Sequence, residues 1–261
     1  MPPSHHQKLR KRSHRPLILV SNDDGIYASG IQTLIRALKR VGKVIVVAPD
    51  QQRSASSHSL TLHKPLRVTK VGPLQYAVNG TPTDCMNLAI NKILTRLPDL
   101  VVSGINHGTN LGEDVHYSGT VSAAVEGGIL GIPSIAVSVT GHEPFRFEPA
   151  AAFVAKLARR VLKEHLPEGI ILNVNVPNVS QSRIRGYAFT IQGKRDYGDI
   201  IIEKIDPRGH PYFWIGGNEA GVDDIPHSDG NAIRARKISI TPLRVDMTDR
   251  TVLERISTWK L

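Results

Sequence analysis

Cysteine is nearly absent: Cys85 is the only one in the chain. That excludes a disulfide scaffold and suits a reducing cytoplasm. Aromatic residues are scarce, at 5%, and no strand carries the clustered aromatics on which RNA-binding sheets stack bases. No uninterrupted apolar run approaches the ~20 residues that cross a bilayer, and the basic opening lacks the apolar core of a secretory signal. A cytoplasmic protein without a membrane partner is expected. No Gly-x-Gly-x-x-Gly follows the first apolar run, which argues against a dinucleotide-binding dehydrogenase. Internal repeats and low-complexity tracts are missing too. So is any acidic residue among positions 1–15, where Lys8, Arg10, Lys11, Arg12 and Arg15 supply +5 of a net charge of +10. The remaining excess is spread over the rest of the chain, so no specific nucleic-acid binding is expected. Residues 1–16 read as a disordered basic leader, in which His5, His6 and His14 suggest nothing specific.

What is present is a chain of 261 residues with 40% hydrophobic positions. That is long enough to bury roughly three-quarters of its unfolded surface. Leu17 to Val20 is a short, fully apolar run and reads as a buried strand. Ile31, Leu34, Ile35 and Leu38 then recur at helical spacing, Gly42 stops the helix, and Val44 to Ala48 is a second buried strand. The alternation continues. Strands are expected at Tyr76 to Asn79, Leu100 to Ser103, Ser134 to Ser138 and Ile170 to Val176. Helices are expected at Pro82 to about Leu94, Thr120 to about Leu130 and Pro149 to Glu164. Strands alternating with helices predict an α/β fold, a Rossmann-like, mostly parallel sheet with helices on both faces. In the last of these strands Asn173 and Asn175 alternate with apolar residues, the mark of one polar face. Beyond Pro177, Ile184 to Gln192, Ile200 to Ile205 and Tyr212 to Ile215 read as antiparallel strands. Lys237 to Thr241 reads as a further strand and Thr251 to Leu261 as a terminal helix. The division expected is therefore a leader at 1–16, a catalytic core at 17–177, and a hairpin and C-terminal oligomerisation region at 178–261 that completes the same domain.

In an open α/β sheet, ligands bind in the loops at the carboxyl ends of the strands. Asp23 and Asp24 follow the first buried strand directly. Two adjacent, partly desolvated carboxylates repel, and a hard divalent cation such as Mg2+ or Mn2+ resolves that conflict. Ser54 and Asn106 offer neutral oxygens from neighbouring loops. The competing reading has one Asp capping the helix near Ser29 and the other solvated; the convergence of Asn- and Ser-rich loops on one edge favours the metal. Ser118, Gly119 and Thr120 open a helix whose amides and dipole suit a phosphate, although plain N-capping explains them equally well. Thr81 with Asp84 has the spacing of a capping box, which makes Asp84 structural. Arg53, His58 and His107 stay open between ligand contact and loop hydrogen bonding. Cys85 reads as a packed core residue, and Asp223 with Asp224 as a solvated loop.

These loops, in this order, resemble the SurE family of stationary-phase survival proteins. The matching stretches are Ile18 to Ile26, Val47 to Ala55, Asn79 to Cys85, Val102 to Asn106 with Gly108 and Asn110, and Tyr117 to Ala123. Ile238 to Leu243 resembles the family's C-terminal strand. The resemblance implies a divalent-metal-dependent phosphatase of nucleoside 5′- and 3′-monophosphates, in a family of which some members also trim short polyphosphate. It implies one Mg2+ or Mn2+ per subunit on Asp23, Asp24, Ser54 and Asn106. Asn110, Ser118, Gly119 and Thr120 fall on its substrate-side loops, and a homodimer or homotetramer is implied. His107 and Thr109 stand where relatives often have Arg and Pro, and Arg236 where Gly is common. Either a water or Asp23 itself would attack phosphorus; the residues do not choose between them.

Overall fold

The computed structural model describes residues 15–195, 201–215, 221 and 223–260. The basic head up to residue 14 lies outside the described residues, as do Ile200 and Leu261. Strand β1 (Leu17–Ser21) is buried along its whole length, as an unbroken apolar run requires. Helix α1 (Ser29–Leu38) turns Ile31, Leu34 and Leu38 inward and leads to β2 (Lys43–Pro49). Strands β3 (Val68–Gly72) and β4 (Gln75–Val78) form a hairpin, and α2 (Pro82–Leu88) follows. The helix expected to reach Leu94 instead changes winding: Ala89–Ile93 is a π-helical turn. Then come β5 (Leu100–His107), α3 (Gly119–Ile129), β6 (Ser134–Thr140), α4 (Phe147–Glu164) and β7 (Ile170–Pro177). The C-terminal part adds β8 (Tyr187–Phe189), β9 (Ile201–Ile205), β10 (Pro211–Ile215), α5 (Asp229–Arg234), β11 (Ile238–Arg244) and α6 (Arg250–Ile256).

Nine of these strands form one sheet in the order β3-β4-β2-β1-β5-β6-β7-β11-β8. From β4 to β7 every pairing is parallel. Helices cover both faces. Side chains of α1 and α4, such as Leu34 and Val154, pack on Ile18, Val20 and Val102. Those of α2 and α3, such as Met86 and Ala123, pack on Leu19, Val47 and Val101 from the other side. β9 and β10 make a separate antiparallel hairpin.

The C-terminal part corrects one expectation. Ile184 to Gln192 is not an antiparallel strand: only Tyr187–Phe189 is regular, and it runs parallel to β11. The antiparallel partner in this region is β11 itself, which lies against β7. The change of direction lies between β7 and β11, and β8 then follows β11 in parallel, because pairing partners are chosen by tertiary contacts and not by alternation within a strand. α6 runs from Arg250 to Ile256, shorter than the expected span.

Candidate active site

The site lies where the strand order reverses. From β1 the chain moves outward to β2 on one side, then returns to place β5 on the other. The loops after β1 and β5 diverge there and leave a crevice at the carboxyl edge. Asp23 and Asp24 come from the first loop, Ser54 from the loop after β2, and Asn106 and Asn110 from the end of β5 and beyond. Together with Ser118 they line one open cavity of about 290 Å³.

Asp23 is held closely. Its backbone carbonyl accepts from Arg53 N at 2.7 Å, and its Oδ1 accepts a hydrogen bond from the Thr120 hydroxyl. Gly119 stands against it so tightly that a Cβ there would lie 2.8 Å from Asp23 Cβ and 2.7 Å from Ser56 Oγ. Only a residue without a side chain fits. Burial pushes the Asp23 carboxyl above its ordinary value of 3.8, and the hydrogen bonds from Thr120 oppose that. Asp24 is pushed up to about 6, first by burial and then by the charge of Asp23, with His107 pulling the other way. His107 Nδ1 lies 2.8 Å from Asp24 Oδ1.

Neither carboxylate caps α1. The residue at that position is Ala28, and no side chain caps the helix. The two acids are therefore held beside one another without the structural task that would explain them. The donor set is oxygen throughout: two carboxylates, the Ser54 hydroxyl, and the Asn106 carbonyl oxygen, whose amide nitrogen is already donated to Gly108 O at 3.1 Å. Among the described residues no three His, Cys, Asp or Glu side chains gather into a metal site. The set here is instead two carboxylates supplemented by neutral oxygens. Hard oxygen donors, among them two adjacent carboxylates, fit Mg2+ or Mn2+ and would not select a softer metal.

Of the four residues expected on the substrate side, Asn110 and Ser118 line the same cavity. Ser118 caps α3 by accepting from Val121 N at 3.1 Å, so capping and a ligand-facing hydroxyl hydrogen are compatible. Thr120 is committed to Asp23. Asn110 is fixed from below: its N–H donates to Asn175 Oδ1 at 2.9 Å, its Nδ2 donates to Ser138 Oγ at 2.7 Å, and its carbonyl accepts from both Asn173 and Asn175. The polar face of β7 thus serves to seat Asn110. Alternation in the sequence showed that face without showing what it holds, because the partner is 65 residues away.

The residues left open now separate. His107 lines the cavity itself and pairs there with Asp24. His58 pairs with Glu126 at 2.7 Å away from the cavity, and Arg53 bonds Asn79 O and Asp50. Asp84 completes its capping box with Thr81 and also accepts from Thr61, so it is structural. Cys85 is fully buried, and burial drives its thiol well above the ordinary 9.0. Asp224 lies on the surface, paired with Arg234 at 3.2 Å. Asp229 gave no signal in the sequence. It is buried, and it accepts from the backbone N–H groups of Gly112, Gly193 and Gly230 at 2.7–3.0 Å.

Comparison with known proteins places this arrangement in context. The sequence profile described as Survival protein SurE matches residues 18–199. The 5′-nucleotidase SurE of Geobacter sulfurreducens is 53% identical over 245 residues, covering 94% of each chain. That of Pelobacter propionicus is 51% identical over 243 residues, 93% of this chain and 98% of its own. Among solved structures, the SurE protein of Aquifex aeolicus superposes with a TM-score of 0.85 at 46% identity, covering 93% of this chain and 98% of that one.

Proposed function

The chain belongs to the SurE family, and from that premise we propose that it is a 5′-nucleotidase, a phosphomonoesterase that releases phosphate from nucleoside monophosphates with the help of a divalent cation. The observation that supports this most is local. Two adjacent buried carboxylates and the N-terminus of α3 open on one cavity. A phosphate and a cation would be neighbours there.

Asp23, Asp24, Ser54 and Asn106 would hold one Mg2+ or Mn2+ per subunit. When bound, that cation supplies Lewis-acid polarisation of the phosphoryl oxygens. The rest belongs to this chain's residues. The amides and dipole of α3, beginning at Gly119, take the phosphate's negative charge. The Ser118 hydroxyl and the second amide hydrogen of Asn110 would donate to the charge that grows on the equatorial oxygens. Thr120 acts through Asp23, fixing which oxygen faces the cavity. A water attacking in line with the sugar oxygen is preferred to attack by Asp23, because Asp23 is held by Thr120 and walled in by Gly119. Inversion at phosphorus is expected; retention would mean an aspartyl-phosphate. Action on 3′-monophosphates and short polyphosphate is proposed from the family resemblance alone, and the location proposed is the cytoplasm.

The test is phosphate release from a panel of nucleoside monophosphates with Mn2+, Mg2+ or EDTA, for the wild type and Asp23→Asn. Metal-dependent turnover that falls by orders of magnitude in the variant is expected. Absence of turnover with either metal rejects the phosphatase reading, and turnover that survives Asp23→Asn moves the role to another carboxylate.

A further inference from the structure

Two of the chain's five phenylalanines stand beside the candidate site. Phe145, in the loop after β6, lies 5.8 Å from Phe147 with the rings 26° from parallel. It also lies 5.9 Å from the His107 ring, at 56°. Phe147 is buried in the core at the start of α4, whereas Phe145 is only half-buried. Phe147 therefore backs the Phe145 ring, and Asp24 fixes the His107 ring through Nδ1. The result is a stiff aromatic wall in a protein with few aromatic residues.

A cavity of about 490 Å³ opens along this wall, lined by His107, Thr109, His142, Glu143, Phe145 and Arg195, among others. It adjoins the catalytic cavity, with which it shares His107 and Thr109. Its volume is that of a site for a small organic ligand. Glu143 and Arg195 on its lining are of opposite charge, and Arg195 is already paired with Asp114 at 3.3 Å, so the anionic end of a substrate belongs at the α3 N-terminus and its neutral end here. An aromatic face supported from behind is the surface on which a nucleobase stacks, whatever its sequence of donors and acceptors.

We propose that this cavity is the nucleobase subsite, with the base against Phe145 and His107 at the passage between base and phosphate. The proposal rests on the nucleotidase reading and adds to it the residue that distinguishes nucleotides from other phosphomonoesters. A base one sugar away from its phosphate spans the two adjoining cavities. A polyphosphate chain gains nothing from the wall.

The experiment compares kcat/KM for AMP and for ribose 5-phosphate, which is AMP without its base, using the full chain with its divalent cation. Wild type is expected to prefer AMP by about tenfold or more, the scale of one base–aromatic stack. Phe145→Leu keeps the apolar volume and is expected to bring that ratio toward one by raising the KM for AMP. Phe145→Tyr keeps the ring and the preference. Equal use of both substrates by the wild type overturns the subsite, and so does a preference that survives Phe145→Leu. Turnover of neither substrate overturns the nucleotidase reading and the subsite with it.

Discussion

Thr120 shows how a residue can matter for chemistry without touching substrate. Its hydroxyl is donated to Asp23, deep in a cluster where Gly119 permits no side chain. Thr120→Val keeps the shape and removes the donor, which frees the carboxylate to turn. Activity on AMP should fall by about ten- to a hundredfold, the usual penalty for a misplaced catalytic group, while Thr120→Ser should retain most of it. Steady-state kinetics of the two variants checks this. Arg236 is a different case. It follows α5 at φ 57°, and its N–H bonds Ile233 O while Lys237 N–H bonds Ala232 O. This is the helix-ending turn in which glycine is favoured because a Cβ is strained there. Replacing Arg236 with Gly should stabilise the fold by up to about 1 kcal/mol, read as a rise in melting temperature. At this scale the sequence was informative where chemistry forces an unusual residue. Asp23, Asp24 and the Thr81–Asp84 box stand out by type and spacing. Asp229 does not, since a single Asp before a Gly resembles any surface turn.

At the scale of elements, Asp229 joins three of them. Its carboxylate ties the loop after β5 at Gly112, the segment at Gly193 and the start of α5. Asn in its place can accept on one side only and turns an amine toward backbone donors on the other. Asp229→Asn should cost about 1–3 kcal/mol at neutral pH. Burial raises the Asp229 carboxyl above 3.8, outweighing the three amides. A raised folded-state value means that its contribution is complete below about 3.8 and is lost as pH rises through the folded value. The deficit of the variant should therefore be wider at acid pH than at neutral pH, as denaturant unfolding at each pH would show. The parallel core was legible because buried strands are unbroken apolar runs and the helices between them are amphipathic. Strand β3 escaped notice because Val68, Thr69, Lys70 and Val71 are all exposed and offer no apolar face. α5 escaped because six residues are too few for a periodic signal.

For the whole molecule, the uncovered apolar surface is concentrated in the C-terminal part. Ile201, Ile205, Phe213 and Trp214 stand exposed on the hairpin, and Val252, Leu253 and Trp259 on or just after α6. A two-stranded hairpin has little stability alone, and contiguous exposed apolar surface marks an interaction site. We read residues 178–261 as completing the fold of the catalytic core and as the surface through which copies of the chain assemble into a homodimer or homotetramer. Light scattering should give a mass at least twice the 28.6 kDa of one chain, and Leu253→Asp should lower it; a monomeric wild type rejects the reading.

The position of β11 bears on how the protein is made. Strand β7, whose asparagines seat Asn110, keeps one edge bare until β11 pairs with it, and β11 is among the last segments of the chain. On a ribosome, the acidic residues of the site emerge first and the strand that closes the sheet emerges near the end. The nascent chain therefore passes through a stage in which most of a parallel sheet is present with an open edge, the arrangement most prone to pairing with a neighbour. Synthesis stalled before residue 238 would leave a product with every proposed ligand and no finished sheet to hold them.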